Sequence, residues 1–447
     1  MKRYVLTMLA LWLLAGSGRA IPAEEKITLT LEKSIDLALS QNPFYLASQE
    51  RVDGAHAKVR EAAAQFFPSL NAQGLQNLDE KVFVLEFPSM IPGGSPQRVA
   101  IDFTRDYQLS LSFSVPLYTG GRLTAGYRSA RLNYLSSQES ARQTTQETVF
   151  NVKRGFYNCL LAEQLVQVTE EALELAEKLL QNVRNMYEVG MASRLDLLRA
   201  EVRMANLKPP VIQARNNLAL AELSLKTFLG LDVDQPMEVV GDMTYSPVEV
   251  DLEESIARSL ANRPEVNQLL YQKQIAGEMV KLAKADYLPT IAISGSYSTW
   301  ADQFNFRKNT WQDFYAFNLV LNIPIFNGLQ IPAKVAQSKA LIRELEHTER
   351  GLLNNIKFEV QSAYLNLNQA KESLLSQEKN VDAAKESVRV AELNYTEGLI
   401  TITDVGAAQV ALSEARINYL RAIYDYVISL AQLEKAMGLG WKESASM

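Results

Sequence analysis

Asp196 and Asp404 each stand three residues after a hydroxyl residue, in Ser193-Arg194-Leu195-Asp196 and Thr401-Ile402-Thr403-Asp404. That spacing predicts a helix N-terminal capping box, in which each of the two side chains accepts from the other residue's backbone N–H. Carboxylates repeated around an axis would also repel one another and draw cations. Other chemistry has little to work with. Cys159 is the single cysteine, so the chain has no intrachain disulfide and no Cys-based metal site. The two histidines, His56 and His347, lie far apart in sequence and read as solvated helix residues rather than a metal site or relay. There is no Gly-rich phosphate loop and no nucleophile elbow. Glu170 and Glu171 fall on a solvated helix face. No catalytic, cofactor-binding or metal-ligating residue is assigned, and the chain is expected not to be an enzyme.

The elements that carry the two acids are long. From Arg122 to Val189 there is no proline, and the span 330–397 is interrupted only by Pro332 near its start, where proline is tolerated. Sixty-eight residues at the helical rise give about 100 Å. The returning segments match that length: 43–66 and 193–230 give about 36 and 57 Å, about 93 Å end to end. Val166, Leu173, Ala176, Leu180, Val183 and Tyr187 follow heptad spacing, as do Leu374, Val381, Ala384, Val388, Ala391 and Tyr395. Such a seam predicts supercoiled hairpins. A second stripe, Leu165, Val168, Ala172, Leu175, Leu179 and Met186, predicts a neighbour on another side, as in a helical cylinder. The hairpin turns read Tyr187-x-x-Gly190-Met191-x-Ser193 and Tyr395-x-x-Gly398-x-Ile400-Thr401, with glycine ending one helix and the hydroxyl starting the next. Lys208-Pro209-Pro210 predicts a kink or restart in the first copy; Ile417 and Asn418 stand there in the second.

The chain is an internal duplication. Leu31-Glu32-Lys33-Ser34-Ile35 returns as Leu252-Glu253-Glu254-Ser255-Ile256, 221 residues on, and Pro43, Pro68 and Gly74 match Pro264, Pro289 and Gly295. Further along the offset is 208: Pro116, Gly120, Gly190, Asp196 and Gly230 match Pro324, Gly328, Gly398, Asp404 and Gly438. The first copy therefore carries 221 − 208 = 13 extra residues between its strands. The first repeat is expected over 21–230, with helices 31–66, 122–189 and 193–230 and strands 69–78 and 104–117. The second is expected over 252–440, with helices 252–287, 330–397 and 401–438 and strands 290–299 and 312–325. Residues 231–251 read as a linker or equatorial segment and 441–447 as a tail. Pro43 and Pro264 sit where a helix can start.

Tyr107, Leu109, Leu111, Phe113, Val115 and Leu117 alternate with Gln108, Ser110, Ser112 and Ser114. Tyr315, Phe317, Leu319, Leu321 and Ile323 repeat the pattern. A period of two with one apolar face suits a barrel strand with lipid on one side and water on the other. Aromatics near the strand ends (Tyr107, Tyr118, Trp300, Trp311, Tyr315) favour this over a soluble sandwich. Residues 79–101 and 299–311 read as variable external loops. Each copy thus has two strands followed by a proline, an aromatic, a glycine and a long helix.

Met1 to Ala20 has a basic start at Lys2 and Arg3, an apolar run from Tyr4 to Ala15 and small residues at Gly18 and Ala20. It reads as a signal peptide, 1–20, cleaved near Ala20 or Ala23. No later run is long and apolar enough for a membrane helix. A chain of 447 residues with 47% hydrophobic residues suits a folded protein, and a net charge of −6 gives a nucleic-acid partner no electrostatic support.

The duplication, the strand-Pro-aromatic-x-Gly-helix junctions (Pro116, Gly120, Pro324, Gly328) and the Tyr-x-x-Gly tips followed six residues later by Asp together resemble the TolC family of outer-membrane efflux ducts, from about Leu29 to Gly440. The resemblance implies a mixed fold, a membrane β-barrel plus an α-helical barrel. Three chains would share one 12-stranded barrel and a 12-helix periplasmic tunnel. It implies a homotrimer in the outer membrane of a Gram-negative bacterium, in contact with outer-membrane lipid. Its function would be passive export from an inner-membrane RND or ABC transporter through a periplasmic adaptor. Docking is implied at the tips: Tyr187, Gly190, Met191, Ser193, Tyr395, Gly398, Ile400 and Thr401. A gate is implied at Asp404 and Asp196. Family members place acidic rings on the second-copy tip helix. Asp404 matches one such position, the acidic position three residues later is Ala407 here, and the position that can carry an arginine link is Ile400. The alternative is a soluble periplasmic coiled-coil adaptor or scaffold.

Overall fold

The computed structural model describes residues 26–78, 83–89, 91, 93, 95–101, 106–305, 307 and 310–441; the expected signal peptide and residues 442–447 of the tail lie outside them. The chain divides into two compact units. One holds the described parts of 1–48, 142–263 and 355–447, the other 49–141 and 264–354.

The first unit is built from helices. α1 spans Leu31–Gln41, and α2, Pro43–Ala64, begins in it. The single helix expected over 31–66 is broken at Asn42, which is extended at φ −63°, ψ 121°. The second copy does the same. α5 (Leu252–Asn262) and α6 (Pro264–Ala285, in the other unit) are separated by Arg263 at φ −67°, ψ 128°. The cause is local: a proline's ring clashes with a preceding residue in the helical region and pushes it to extended backbone. Asn42 also caps α2, its Oδ1 accepting from Phe44 N at 2.9 Å.

α3 (Arg122–Glu188) and α7 (Gln330–Thr396) are uninterrupted helices of 67 residues each. α4 (Arg194–Leu229) and α8 (Ile402–Ala436) return beside them. Of the kink or restart expected at Pro209 and Pro210, the restart does not occur: α4 runs through both prolines as one helix. Two prolines leave the carbonyls of Ala205 and Asn206 without helical donors. Both residues are exposed, so water can serve those carbonyls.

The duplication reaches the core. Val152, Cys159, Leu225 and Leu229 lie in one buried cluster with Ile35 and Ala38 of α1. Their counterparts 208 residues on, Val360, Leu367, Leu433 and Met437, lie in another. Leu225 and Leu433 are fully buried, worth about 1.5–3 kcal/mol each. In the expected seam, Ala176, Leu180 and Val183 are buried. In the second stripe Leu179 packs against a cluster containing Ala200 and Ile402, so part of that stripe is covered within the chain, while Leu175 stays exposed.

Two three-residue strands were invisible to periodicity. β1 (Ile27–Leu29) pairs in parallel with a strand at Met237–Val239, Ile27 opposite Met237. The segment expected as a linker therefore ties the two ends of the first copy together.

The second unit holds an antiparallel four-stranded sheet. Its strands are β2 (Ser69–Gln76), β5 (Tyr107–Tyr118), β7 (Thr290–Ala301) and β8 (Gln312–Asn322), in the order β2-β5-β7-β8. The pair at Met237–Val239 above is β6. The 13 extra residues of the first copy go into a separate hairpin. It is β3 (Phe83–Phe87) with β4 (Gln97–Ile101), where an external loop was expected.

Register sorts the sheet's faces. Phe113, Gly295 and Phe317 form one apolar row, and Leu111, Tyr297 and Tyr315 the next. Phe317, Leu319 and Leu321 are 72%, 70% and 57% exposed. Among the described residues the sheet does not close: β2 and β8 are free edges. No helix of the described residues is long and apolar enough to cross a membrane.

Pro116 does not end its strand as expected. It pairs with Ala292 inside β5, and a bulge lies between it and Tyr118. A residue without an N–H is tolerated where the ladder is already irregular. Pro324 does lie beyond β8. Past the strands the chain turns through left-handed backbone, at Gly120 (φ 63°) and Gly121 in the first copy, at Gly328 (φ 57°) and Leu329 (φ 64°) in the second. Leu329 is the one non-glycine with positive φ among the described residues.

Candidate functional site: the helix tips

α3 ends in a Schellman-type turn. Gly190 adopts φ 79° and Met191 N donates to Met186 O at 2.7 Å. The second tip repeats it, with Gly398 at φ 77° and Leu399 N donating to Asn394 O at 2.8 Å. Only glycine takes that backbone without steric cost, so the turn sits where the Tyr-x-x-Gly motif puts it. The apolar side chains of Val189, Met191 and Leu399 are 70%, 79% and 68% exposed.

Both acids cap. Ser193 Oγ accepts from Asp196 N at 3.1 Å, and Asp196 Oδ2 accepts from Ser193 N at 3.3 Å and from Ser193 Oγ at 2.6 Å. Asp404 Oδ2 accepts from Thr401 N at 2.9 Å and Thr401 Oγ1 at 2.6 Å, while Asp404 N donates to the Thr401 carbonyl at 3.0 Å. The first tip is a reciprocal box; in the second the carboxylate takes both Thr401 donors. The Thr401 hydroxyl, then its backbone N–H, hold the Asp404 carboxyl below the usual carboxylate range.

The two tips meet through other residues. Tyr395 of α7 packs in the cluster of Leu180, Val183, Ala200 and Ile402, and its hydroxyl approaches Met186 Sδ at 3.7 Å. Burial raises the Tyr395 phenol, and the Asp196 charge adds to that. Arg203 Nη2 donates to Gln409 Oε1 at 3.3 Å, and Gln409 Nε2 donates to Glu392 Oε1 at 3.3 Å, linking α4, α8 and α7. Gly406 leaves room for this guanidinium: a Cβ there would sit 1.8 Å from Arg203 Nη1. Burial lowers the Arg203 pKa. Arg416 Nη1 bonds Glu171 Oε2 at 2.8 Å, so Glu171 joins α3 to α8 rather than merely facing solvent. Arg203, Gln409 and Glu171 carry no local signal of these roles in the sequence, because the Arg203–Gln409 and Glu171–Arg416 pairs span 206 and 245 residues. Tyr187 remains 39% exposed. Among the described residues no group of His, Cys, Asp and Glu could hold a metal ion.

At the strand–helix junctions, Gly120 approaches the end of α6: a Cβ there would lie 2.8 Å from Leu288 Cβ and 2.9 Å from Ala285 O. Asp286 pairs with Arg122 and, at 3.1 Å, with Lys334. One carboxylate thus fastens the starts of both long helices, another contact invisible in the sequence.

The sequence profile of the outer membrane efflux protein family matches residues 34–231 and 255–439, one segment in each copy of the duplication. The chain belongs to that family. It is similar to the probable efflux pump outer membrane protein TtgC of Pseudomonas putida, 24% identical over 92% of this chain and 84% of that one. It is similar to the cation efflux system protein CusC of Escherichia coli at 23%, over 92% and 86%, and to the outer membrane protein TolC of Vibrio cholerae at 21%, over 90% and 89%. The fold matches solved structures of the Campylobacter jejuni CmeC outer membrane channel (TM-score 0.76, 16% identity, 91% of this chain and 85% of that) and of CusC (0.73, 20%, 92% of each). This efflux protein is accordingly an outer-membrane transport component of Gram-negative type, in a family of channels rather than enzymes. The soluble adaptor alternative is set aside by the same family match.

Proposed function

We propose that three copies of this chain form one export duct, gated at the helix tips. The observation that carries the proposal is the open sheet. Among the described residues its edges β2 and β8 have no neighbouring strand, and its apolar face is exposed on β8. In lipid each unsatisfied backbone group costs several kcal/mol, so a spanning sheet must close. Four strands cannot close alone, whereas three chains supply 12 strands, enough for a barrel. The paired long helices would supply a 12-helix tunnel in the same assembly. The exposed Met191, Val189 and Leu399 at the tips suit docking of a periplasmic adaptor, with an inner-membrane RND or ABC pump behind it. Three Asp404 carboxylates around one axis would favour cations at the mouth, and capping and gating are compatible in one residue.

The test is planar-bilayer recording of the purified trimer, wild type against Asp404→Ala. The expected result is a small cation-selective conductance whose selectivity weakens in the variant. An unchanged reversal potential would leave Asp404 as a cap only. A water-soluble monomer that forms no pore would refute the duct itself.

A further inference from the structure

In a closed ring of duplicated hairpins two kinds of joint alternate. The first copy meets the second within a chain, and the second copy meets the first copy of the next chain. The first kind is seen directly, because α3 and α4 both bond to α8. The second follows by moving each residue to its counterpart 208 positions away, which sets α7 beside the next chain's α4. α7 is bare where that neighbour would lie: Phe358 is 72% exposed, whereas its counterpart Phe150 has Lys435 Nζ 5.2 Å from its ring centroid.

Three side-chain links cross the joint within the chain, and none of them survives the exchange of copies. Lys153 Nζ bonds Glu434 Oε2 at 2.6 Å. The counterparts are Gln361 and the next chain's Lys226, whose Nζ already donates to its own Val233 O at 2.7 Å. Arg203 Nη2 bonds Gln409 Oε1 at 3.3 Å; the counterparts are Ala411, which has no polar side-chain atom, and the next chain's Glu201. Arg416 Nη1 bonds Glu171 Oε2 at 2.8 Å; the counterparts are the next chain's Lys208 and Lys379, two cations. Both lysines are exposed, and neither bonds another side chain among the described residues. Pro209 and Pro210 follow Lys208, so α4 also lacks two helical hydrogen bonds at that level. One link does carry over. Arg142 donates to Asn262 O, and its counterpart Arg350 is an exposed guanidinium that matches the next chain's Gln41 O.

Resting on the trimer proposed above, we infer that the helical tunnel parts along the three joints between chains, while the two tip hairpins of each chain stay bolted together. The like charges of Lys208 and Lys379 keep those joints weak, and Arg350 holds their fixed end. The partner that this face of α7 fits is a second copy of the chain, presented through α4.

The test is made on the purified trimer in planar bilayers. Lys379→Glu or Lys208→Glu sets opposite charges across each of three joints, so openings should become about tenfold rarer at low salt. The effect should fade in about 1 M KCl, where the Debye length is about 3 Å. The double variant Lys208→Glu/Lys379→Glu restores like charges and should open as often as wild type. Two losses that add, or no change in either single variant, overturn the facing of the two lysines. Thiol bridges then separate the two kinds of joint; the native Cys159 is buried and stays silent. A bis-methanethiosulfonate bridge in Lys208→Cys/Lys379→Cys should join chains on a denaturing gel and stop openings until dithiothreitol is added. The same bridge in Glu171→Cys/Arg416→Cys should leave the chains separate on the gel and the opening rate within about twofold of the unbridged variant, well under the tenfold expected of the charge swap. A within-chain bridge that stops openings, or a 208–379 bridge that joins no chains, overturns this inference and leaves the duct standing. A preparation with neither trimer nor pore overturns the duct itself.

Discussion

Gly230 closes α4 in left-handed backbone, φ 77°, against the corner between α1 and α2. An alanine Cβ there would lie 2.6 Å from Gln41 O and 2.9 Å from Asn42 Cα. Two costs combine. Left-handed backbone costs an L-residue about 1 kcal/mol more than glycine. Backbone atoms under 3 Å cannot rotate away as a side chain can, so the corner must move, at about 1–3 kcal/mol for an overpacked site. Gly230→Ala should therefore cost about 2–4 kcal/mol. The duplication provides internal controls. Gly438, φ 72°, has its nearest backbone atoms at 3.0 Å from the built Cβ, and Gly398, φ 77°, has nothing within 4 Å. Gly438→Ala should fall near about 1–2 kcal/mol and Gly398→Ala near about 1 kcal/mol, strain alone. The assay is loss of helical circular dichroism on heating in one detergent at one scan rate, because unfolding of such assemblies is often irreversible. The order of destabilisation should be Gly398→Ala, then Gly438→Ala, then Gly230→Ala. Equal midpoint shifts for Gly398→Ala and Gly230→Ala would show that backbone strain sets the cost and the α1–α2 corner gives way freely.

Leu329→Gly relieves left-handed strain at an exposed residue, and should stabilise by about 1 kcal/mol in the same melting assay, where most substitutions destabilise. Asp286→Ala removes the acid shared by Arg122 and Lys334. Both cations are about half exposed and can rehydrate, so a loss of about 1–2 kcal/mol is expected, with faster amide exchange in the first turns of α3 and α7 as the specific readout. The Asp404 carboxyl is held low by Thr401, so its contribution to tip order is complete above the ordinary carboxylate value. It is lost as pH falls through the lowered folded value. Thr401→Ala should move that acid-side loss of protection, followed by hydrogen exchange over residues 399–405, upward toward the ordinary carboxylate range; an unmoved profile would mean that another group controls it.

The sequence by itself determined whatever local rules govern. Glycine spacing placed the tip turns, hydroxyl and acid three apart placed the caps, alternation placed the strands, and the heptad seam placed the buried face of the long helices. The duplication was legible because proline and glycine mark backbone in both copies. The helix breaks at Asn42 and Arg263 also obey a local rule, the restriction on a residue before proline. Tertiary structure alone decided the rest. β1 and β6 are three residues long, too short for any period, and exist because segments about 210 residues apart pair. Pro116 sits in a bulge because β7 supplies the other side of the ladder. Asp286, Arg203 and Glu171 look like any solvated charge until the fold brings 48-, 206- and 245-residue separations to bonding distance. Propensity and capping act within one turn of chain and so can be read from neighbours, whereas the partner of a long-range ion pair is chosen only when the chain has packed.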